Sequence, residues 1–237
     1  MKFEITGDNL QIITCELTTG EVMQAEAGAL VCMSGNMNME TEMTGGLMGG
    51  FKRIITGESF FLTRFSPANG DGTVSFAGNV PGKIYPYLLD GNEFISQKES
   101  FLCAEAGVTM TMTTAKGITK GLFGGEGFLL QKFSGKGTVF LHCCGDIILK
   151  NLMPGEVLKV ETGLVAGFED TVTYNIERVR GVKSILFSGQ GLFMTTLTGP
   201  GVVVIQSLNI AKLAQTLIPY LPHSSSSIST SRTSSGD

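Results

Sequence analysis

Gly121-Leu122-Phe123-Gly124-Gly125-Glu126-Gly127-Phe128-Leu129-Leu130-Gln131-Lys132-Phe133 reads as a tight glycine turn feeding an apolar strand. Two stretches of the same chain share its pattern. Gly57-Glu58-Ser59-Phe60-Phe61-Leu62-Thr63-Arg64-Phe65 precedes it and Gly189-Gln190-Gly191-Leu192-Phe193-Met194-Thr195-Thr196-Leu197 follows it. Each is followed by a second glycine and a β-branched or aromatic run: Gly72–Phe76, Gly137–Leu141 and Gly201–Ile205. Each is preceded by a glycine before an extended segment, at Gly20-Glu21-Val22, Gly91-Asn92-Glu93-Phe94 and Gly155-Glu156-Val157-Leu158. An alternating strand comes next: Met37–Glu40, Val108–Met112 and Val172–Ile176. Four landmarks in one order, three times, predict an internal repeat longer than the usual solenoid or propeller unit. Each copy is long enough for a small barrel or jelly-roll-like module.

The fold class expected is therefore all-β, three tandem modules and one C-terminal helix. The boundaries read as 1–80, 81–151 and 152–222, with a Ser-rich, disordered tail at 223–237. Gly145-Asp146 reads as a hairpin turn between flanking strands, 22–32 as one strand, and Pro86 marks an edge strand or a corner. The helix is drawn by Ile210, Leu213, Ala214, Leu217 and Ile218, with Ser207 or Asn209 to cap it and Pro219 to stop it. Its stripe is expected to pack back on a sheet.

With 237 residues, 42% hydrophobic and only 16% charged, the chain is poor in charge, and that points to surface hidden between subunits. No run of about 18 apolar residues exists, so no integral membrane segment is expected. A net charge of −4 and no Lys/Arg block disfavour a nucleic-acid face. Five cysteines without a Cys-x-x-Cys suit a reduced, cytoplasmic protein, and no signal peptide is visible.

Chemistry is thinly represented. The glycine turns place Gly57, Glu58, Gly125, Glu126, Gly127, Gly189, Gln190 and Gly191 at equivalent positions. A phosphate-cradling loop needs a following helix and a Gly-Lys-Ser/Thr, and neither is here. These eight residues read as structural turns whose Glu58, Glu126 and Gln190 bridge modules or subunits. His142-Cys143-Cys144 cannot converge as three ligands on a strand, and no partner stands at zinc-like spacing, so no metal and no cofactor is expected. Met37 and Met39, like Met110 and Met112, alternate on one face and read as filling a core or interface. Two histidines leave few candidates for a base-assisted nucleophile, so no catalytic residue is named.

The runs 121–128 and 133–140, with Glu161-Thr162-Gly163-Leu164-Val165-Ala166 and the closing helix, resemble a family whose yeast member is named for altered inheritance of mitochondria. The likeness spans about residues 1–222. It implies a fold similar to the tryptophan RNA-binding attenuation protein, with three short double-stranded β-helix modules per chain. It further implies a homotrimer, a ring of nine modules with approximate ninefold symmetry. RNA or tryptophan binding does not carry over, because no contacting motif matches named positions. The function expected is a non-enzymatic, oligomeric β-scaffold or binding protein. The alternatives are a ring holding a small molecule between modules and, behind it, a metal-dependent cupin-like enzyme.

Overall fold

Phe193, Thr195 and Leu197 are buried while Met194, Thr196 and Thr198 are half-buried, the period-two signature of a strand on a core. That pattern runs through most of the molecule. A computed structural model describes residues 1–26, 28–43, 61–114, 129–179 and 193–221. Eighteen strands are described: β1 (Lys2–Thr6), β2 (Ile12–Leu17), β3 (Met23–Glu26), β4 (Leu30–Met33), β5 (Met37–Met43), β6 (Phe61–Pro67), β7 (Gly72–Ala77), β8 (Gly82–Asp90), β9 (Phe94–Gln97), β10 (Phe101–Glu105), β11 (Val108–Thr114), β12 (Leu129–Cys144), β13 (Ile147–Leu152), β14 (Val157–Glu161), β15 (Val165–Glu169), β16 (Thr173–Arg178), β17 (Phe193–Thr198) and β18 (Gly201–Gln206). One α-helix, α1 (Ile210–Leu217), closes the described chain. Among the described residues the protein is all-β with a single short C-terminal α-helix.

One pairing scheme occurs at three places. In the first, β7 lies between β2 and β4, and β6 between β3 and β5. In the second, the two halves of β12 do both jobs. Its C-terminal half pairs with β8 and β10, its N-terminal half with β9 and β11. In the third, β18 lies between β13 and β15, and β17 between β14 and β16. A register shift interrupts the same strand each time, between Leu30 and Cys32, Phe101 and Cys103, and Val165 and Gly167. Three of the four buried clusters hold matching residues of this scheme. Leu17, Phe65 and Val74 sit in the first, Leu89, Phe133 and Val139 in the second, Leu152, Leu197 and Val203 in the third.

Two sequence expectations need correction. Gly145-Asp146 is not a hairpin turn: β12 ends on β8 and β10, whereas β13 pairs with β18. Gly145, at φ 75°, instead hands the chain from one strand set to the next and bridges Gly82 in parallel. The segment 22–32 is two strands in different sheets, broken at Gly28, whose φ of 91° suits glycine alone, with Ala29 N–H bonded to Glu26 O. Pro86 does lie in an edge strand, since β8 has β12 as its one partner among the described residues.

The helix forms where its cap says. Asn209 Oδ1 accepts from Lys212 N–H at 2.8 Å. Its stripe, however, is not buried: Leu217 is 50% exposed and no α1 residue is buried. The tether is polar, Lys212 Nζ donating to Glu161 Oε2 at 2.6 Å. The methionine face also divides, with Met37 buried and Met39 53% exposed.

Candidate functional site

The eight turn residues singled out by sequence, Gly57, Glu58, Gly125, Glu126, Gly127, Gly189, Gln190 and Gly191, all lie outside the described residues. The strands they lead into, β6, β12 and β17, are described, and each pairs with the strand before its turn.

Four of the five cysteines, Cys15, Cys103, Cys143 and Cys144, are buried, and Cys32 is exposed. Burial pushes the thiols of Cys15 and Cys143 up to about 12, and Cys103 well above its usual range. A thiol held protonated is a poor nucleophile. Burial pulls His142 below its ordinary value, against a backbone bond to Val80 that favours the charged ring. Its ring is wedged against glycines: a Cβ on Gly78 would stand 2.3 Å from it, and one on Gly82 2.7 Å. His142 therefore locks the crossover 78–82. Among the described residues no three His, Cys, Asp or Glu side chains are placed to hold a metal. No helix among them is long and apolar enough to cross a membrane.

The geometry concentrates at strand edges. β3 is joined to β10 through Ala25↔Cys103, Gln24↔Ala104 and Met23↔Glu105. β9 is joined to β15 through Ser96↔Gly167, Ile95↔Phe168 and Phe94↔Glu169. Each join carries one further backbone bond, Ala106 N–H to Val22 O at 3.0 Å and Asp170 N–H to Glu93 O at 3.3 Å. By the pairing scheme, β14 is the counterpart of β3 and β9, and β4 the counterpart of β10 and β15. Among the described residues these two have no such partner: β14 pairs only with β17, and β4 only with β7.

Their exposure matches. Residues 101–104 and 165–168 are buried, whereas Val31 is 50% exposed, Met33 38% and Cys32 exposed. In β14, Val157 is 56% exposed. An open edge with apolar side chains templates another strand.

The buried joins are also polar at fixed places. Glu105 Oε2 accepts from Thr138 N–H at 2.5 Å, and Glu169 Oε2 from Val202 N–H at 2.9 Å. In the first strand set Ser34 Oγ takes this role, accepting from Thr73 N–H at 2.9 Å. Glu169 Oε1 reaches across its join to Tyr87 OH at 2.9 Å, which is held in turn by Asn92 Nδ2 at 2.7 Å. Burial and that carboxylate raise the Tyr87 phenol. At the other join, Gln24 Nε2 donates to Val108 O at 2.6 Å and Glu105 O at 3.3 Å. The sequence patterns singled out neither Glu105 nor Glu169. The shared position of Glu105 and Glu169, just past two matching bulges, was the signal that would have found them.

A family model described as mitochondrial biogenesis AIM24 matches residues 3–208. An uncharacterised protein of Streptococcus pyogenes serotype M6 is 29% identical over 222 residues, covering 90% of this chain and 88% of its own. A crystal structure of a Streptococcus pyogenes protein from a structural-genomics programme superposes with a TM-score of 0.76 at 25% identity, over 93% of this chain and 99% of the other.

Proposed function

The chain belongs to the mitochondrial biogenesis AIM24 family, and on that premise we propose that it is a non-enzymatic β-scaffold. Its copies join head to tail into a homotrimeric ring. In this reading the three strand sets are three modules, and the ring has nine. The third module begins at Ile147 with β13, ahead of the boundary suggested by sequence.

One observation carries the proposal. At the internal joins the receiving residues 101–104 and 165–168 are buried, whereas among the described residues β4 and β14 lack such a partner and expose Val31, Cys32, Met33 and Val157. They are opposite halves of one joint. A joint of unlike halves is heterologous, and it closes into a ring when the rotation allows. Carrying the internal registers forward pairs Cys32 of one copy with Val160 of the next, Met33 with Lys159, and Ser34 with Leu158. Lys159 takes the place of Gln24, so its ammonium meets backbone carbonyls of the next copy. Five cysteines outside any disulfide support a reduced, cytoplasmic setting. The acidic balance supports a scaffold without a nucleic-acid role.

The test is a cysteine introduced at Val160, facing the native Cys32 of the next copy. Mild oxidation of Val160→Cys is expected to give a covalent ladder that stops at three chains. A product that stays a single chain in a protein of oligomeric mass would defeat the register.

A second reading, a small molecule held between modules, has one observation in its favour. A cavity of about 200 Å³ lies at the β3–β10 join, lined by Leu17, Glu21, Glu105 and Lys136 among others. That is below the usual span of ligand pockets, roughly 300–1,000 Å³. A thermal shift with amino acids and nucleotides separates the readings, since a ligand of the folded state raises Tm by mass action.

A further inference from the structure

Lys150 is exposed in a place where its counterparts are buried. It pairs with Val203 as Tyr87 pairs with Val139 and Cys15 with Val74. Cys15 and Tyr87 are both buried, and Tyr87 meets a carboxylate of the following strand set. The Tyr87 hydroxyl bonds Glu169, and the Glu105 charge helps to raise the Cys15 thiol. A strand set that would follow that of Lys150 is not among the described residues. On the head-to-tail reading above, on which this inference rests, it is the first set of the next copy.

That first set differs from the other two at the receiving position. Ser34 stands where Glu105 and Glu169 stand, and it makes the same backbone bond with a shorter side chain. Beside it lies a cavity of about 430 Å³, lined by Ser34, Asp71, Gly72, Thr73, Glu16 and Glu21 among others. Its lining holds three carboxylates, those of Glu16, Glu21 and Asp71, and one lysine, Lys2. Glu21 is already held by the Met1 amino group, which keeps its carboxyl below the usual range. Asp71 and Glu16 are both exposed. So the giving side has a long cation where a tyrosine or a cysteine sits elsewhere. The receiving side has a hollow and acid where a glutamate sits elsewhere.

We infer that Lys150 of one copy inserts into the cavity beside Ser34 of the next, with its ammonium on the Ser34 hydroxyl and the Asp71 carboxylate. The lock makes the joint between copies chemically unlike the joints within a chain. A module therefore docks poorly at the wrong step: the cavity at the internal β3–β10 join is less than half the size and already holds Lys136, and Tyr87 finds a serine where Glu105 or Glu169 would stand. Matched charge and shape at a heterologous edge set register and partner choice.

Sedimentation velocity over a dilution series, on the full chain, tests this. Lys150→Glu is expected to raise the dissociation constant of the assembly at least tenfold, and Asp71→Lys to do the same. The double variant is expected to recover most of the loss, because both charges are reversed at every joint. Lys150→Met, which keeps length without charge, guards against misfolding and is expected to weaken assembly less than Lys150→Glu. Circular dichroism of each variant is expected to match the parent. Assembly of Lys150→Glu at parental strength overturns the lock and leaves the ring standing. A parent that sediments as a single chain at every concentration overturns the ring itself.

Discussion

The β9–β15 join and the open strand β4 are the same kind of place met in two circumstances. At the first, Gly167 faces Ser96, Phe168 faces Ile95, and residues 165–168 are all buried. At the second, the equivalent residues Cys32 and Met33 face solvent. Sequence type does not separate them, since both strands are short, apolar and bulged. What differs is whether the chain itself supplies the next strand. A damaging change should therefore unfold the protein at the first place and only disassemble it at the second.

The largest effect is expected at Gly167. A Cβ there would lie 2.5 Å from the Phe94 ring and 2.9 Å from the Ile95 carbonyl oxygen, inside a join that holds the fold. Gly167→Val is expected to cost about 3 kcal/mol, the upper range for overpacking, and to lower Tm by roughly 6–12 °C. Calorimetry checks it, and an unchanged Tm would mean that this join is looser than its burial says.

Met33→Pro is the matched change at the open edge. Ser34 N–H is used inward, on Thr73 O at 2.9 Å, so strand alternation turns the Met33 amide outward. Proline removes that donor and obstructs an incoming strand. The expected outcome is an assembly weakened about a hundredfold, from the ~3 kcal/mol scale of a misplaced proline, in a chain that keeps its circular dichroism and its monomer Tm. Light scattering against concentration reads the first and calorimetry the second.

How much of this the residues announced is uneven, and the reasons are physical. Gly20, Gly91 and Gly155 were legible as turns because their positive φ, 92°, 89° and 78°, calls for glycine, and β3, β9 and β14 follow each in turn. The α1 stripe and its Asn209 cap were legible because both are local. The mistaken hairpin at Gly145 shows the limit. Neighbouring strands with a glycine between them look paired, and only the long-range match of Ile147 to Gln206 says otherwise. The open edges were illegible in principle: Val31 and Val157 are ordinary strand residues until the pairing leaves them without a neighbour. The glycine turns first proposed as bridges, at 57–58, 125–127 and 189–191, lie outside the described residues.

A smaller effect sharpens the contrast between strand sets. Gln131 is fully buried, and among the described residues neither its amide nitrogen nor its oxygen has a hydrogen-bond partner. Its counterpart Thr195 bonds Thr162 Oγ1 at 3.0 Å. A buried amide left unmatched costs on the order of 1–3 kcal/mol. Gln131→Met is therefore expected to raise Tm by a few degrees, whereas Thr195→Val, which strips a satisfied bond, is expected to leave it level or lower it. If Gln131→Met lowers Tm, an ordered partner sits at that amide.

The smallest effect is a pH slope. His142 is held neutral by burial, so its folded pKa lies below the unfolded value near 6.5. The unfolded chain then binds the extra proton first. Stability is full above pH 6.5 and falls as pH drops from there through the folded pKa. His142→Gln is expected to flatten the dependence of Tm between pH 7.5 and 5, and an unchanged slope would assign it to other groups.

The most direct test of the central claim is the mass of the unmodified chain in dilute neutral buffer. Size-exclusion chromatography with light scattering is predicted to return three times the 25.2 kDa chain mass, held over a wide range of concentrations. A particle of 25.2 kDa throughout would mean that β4 and β14 stay open in solution, and the account of the joint between copies would be wrong.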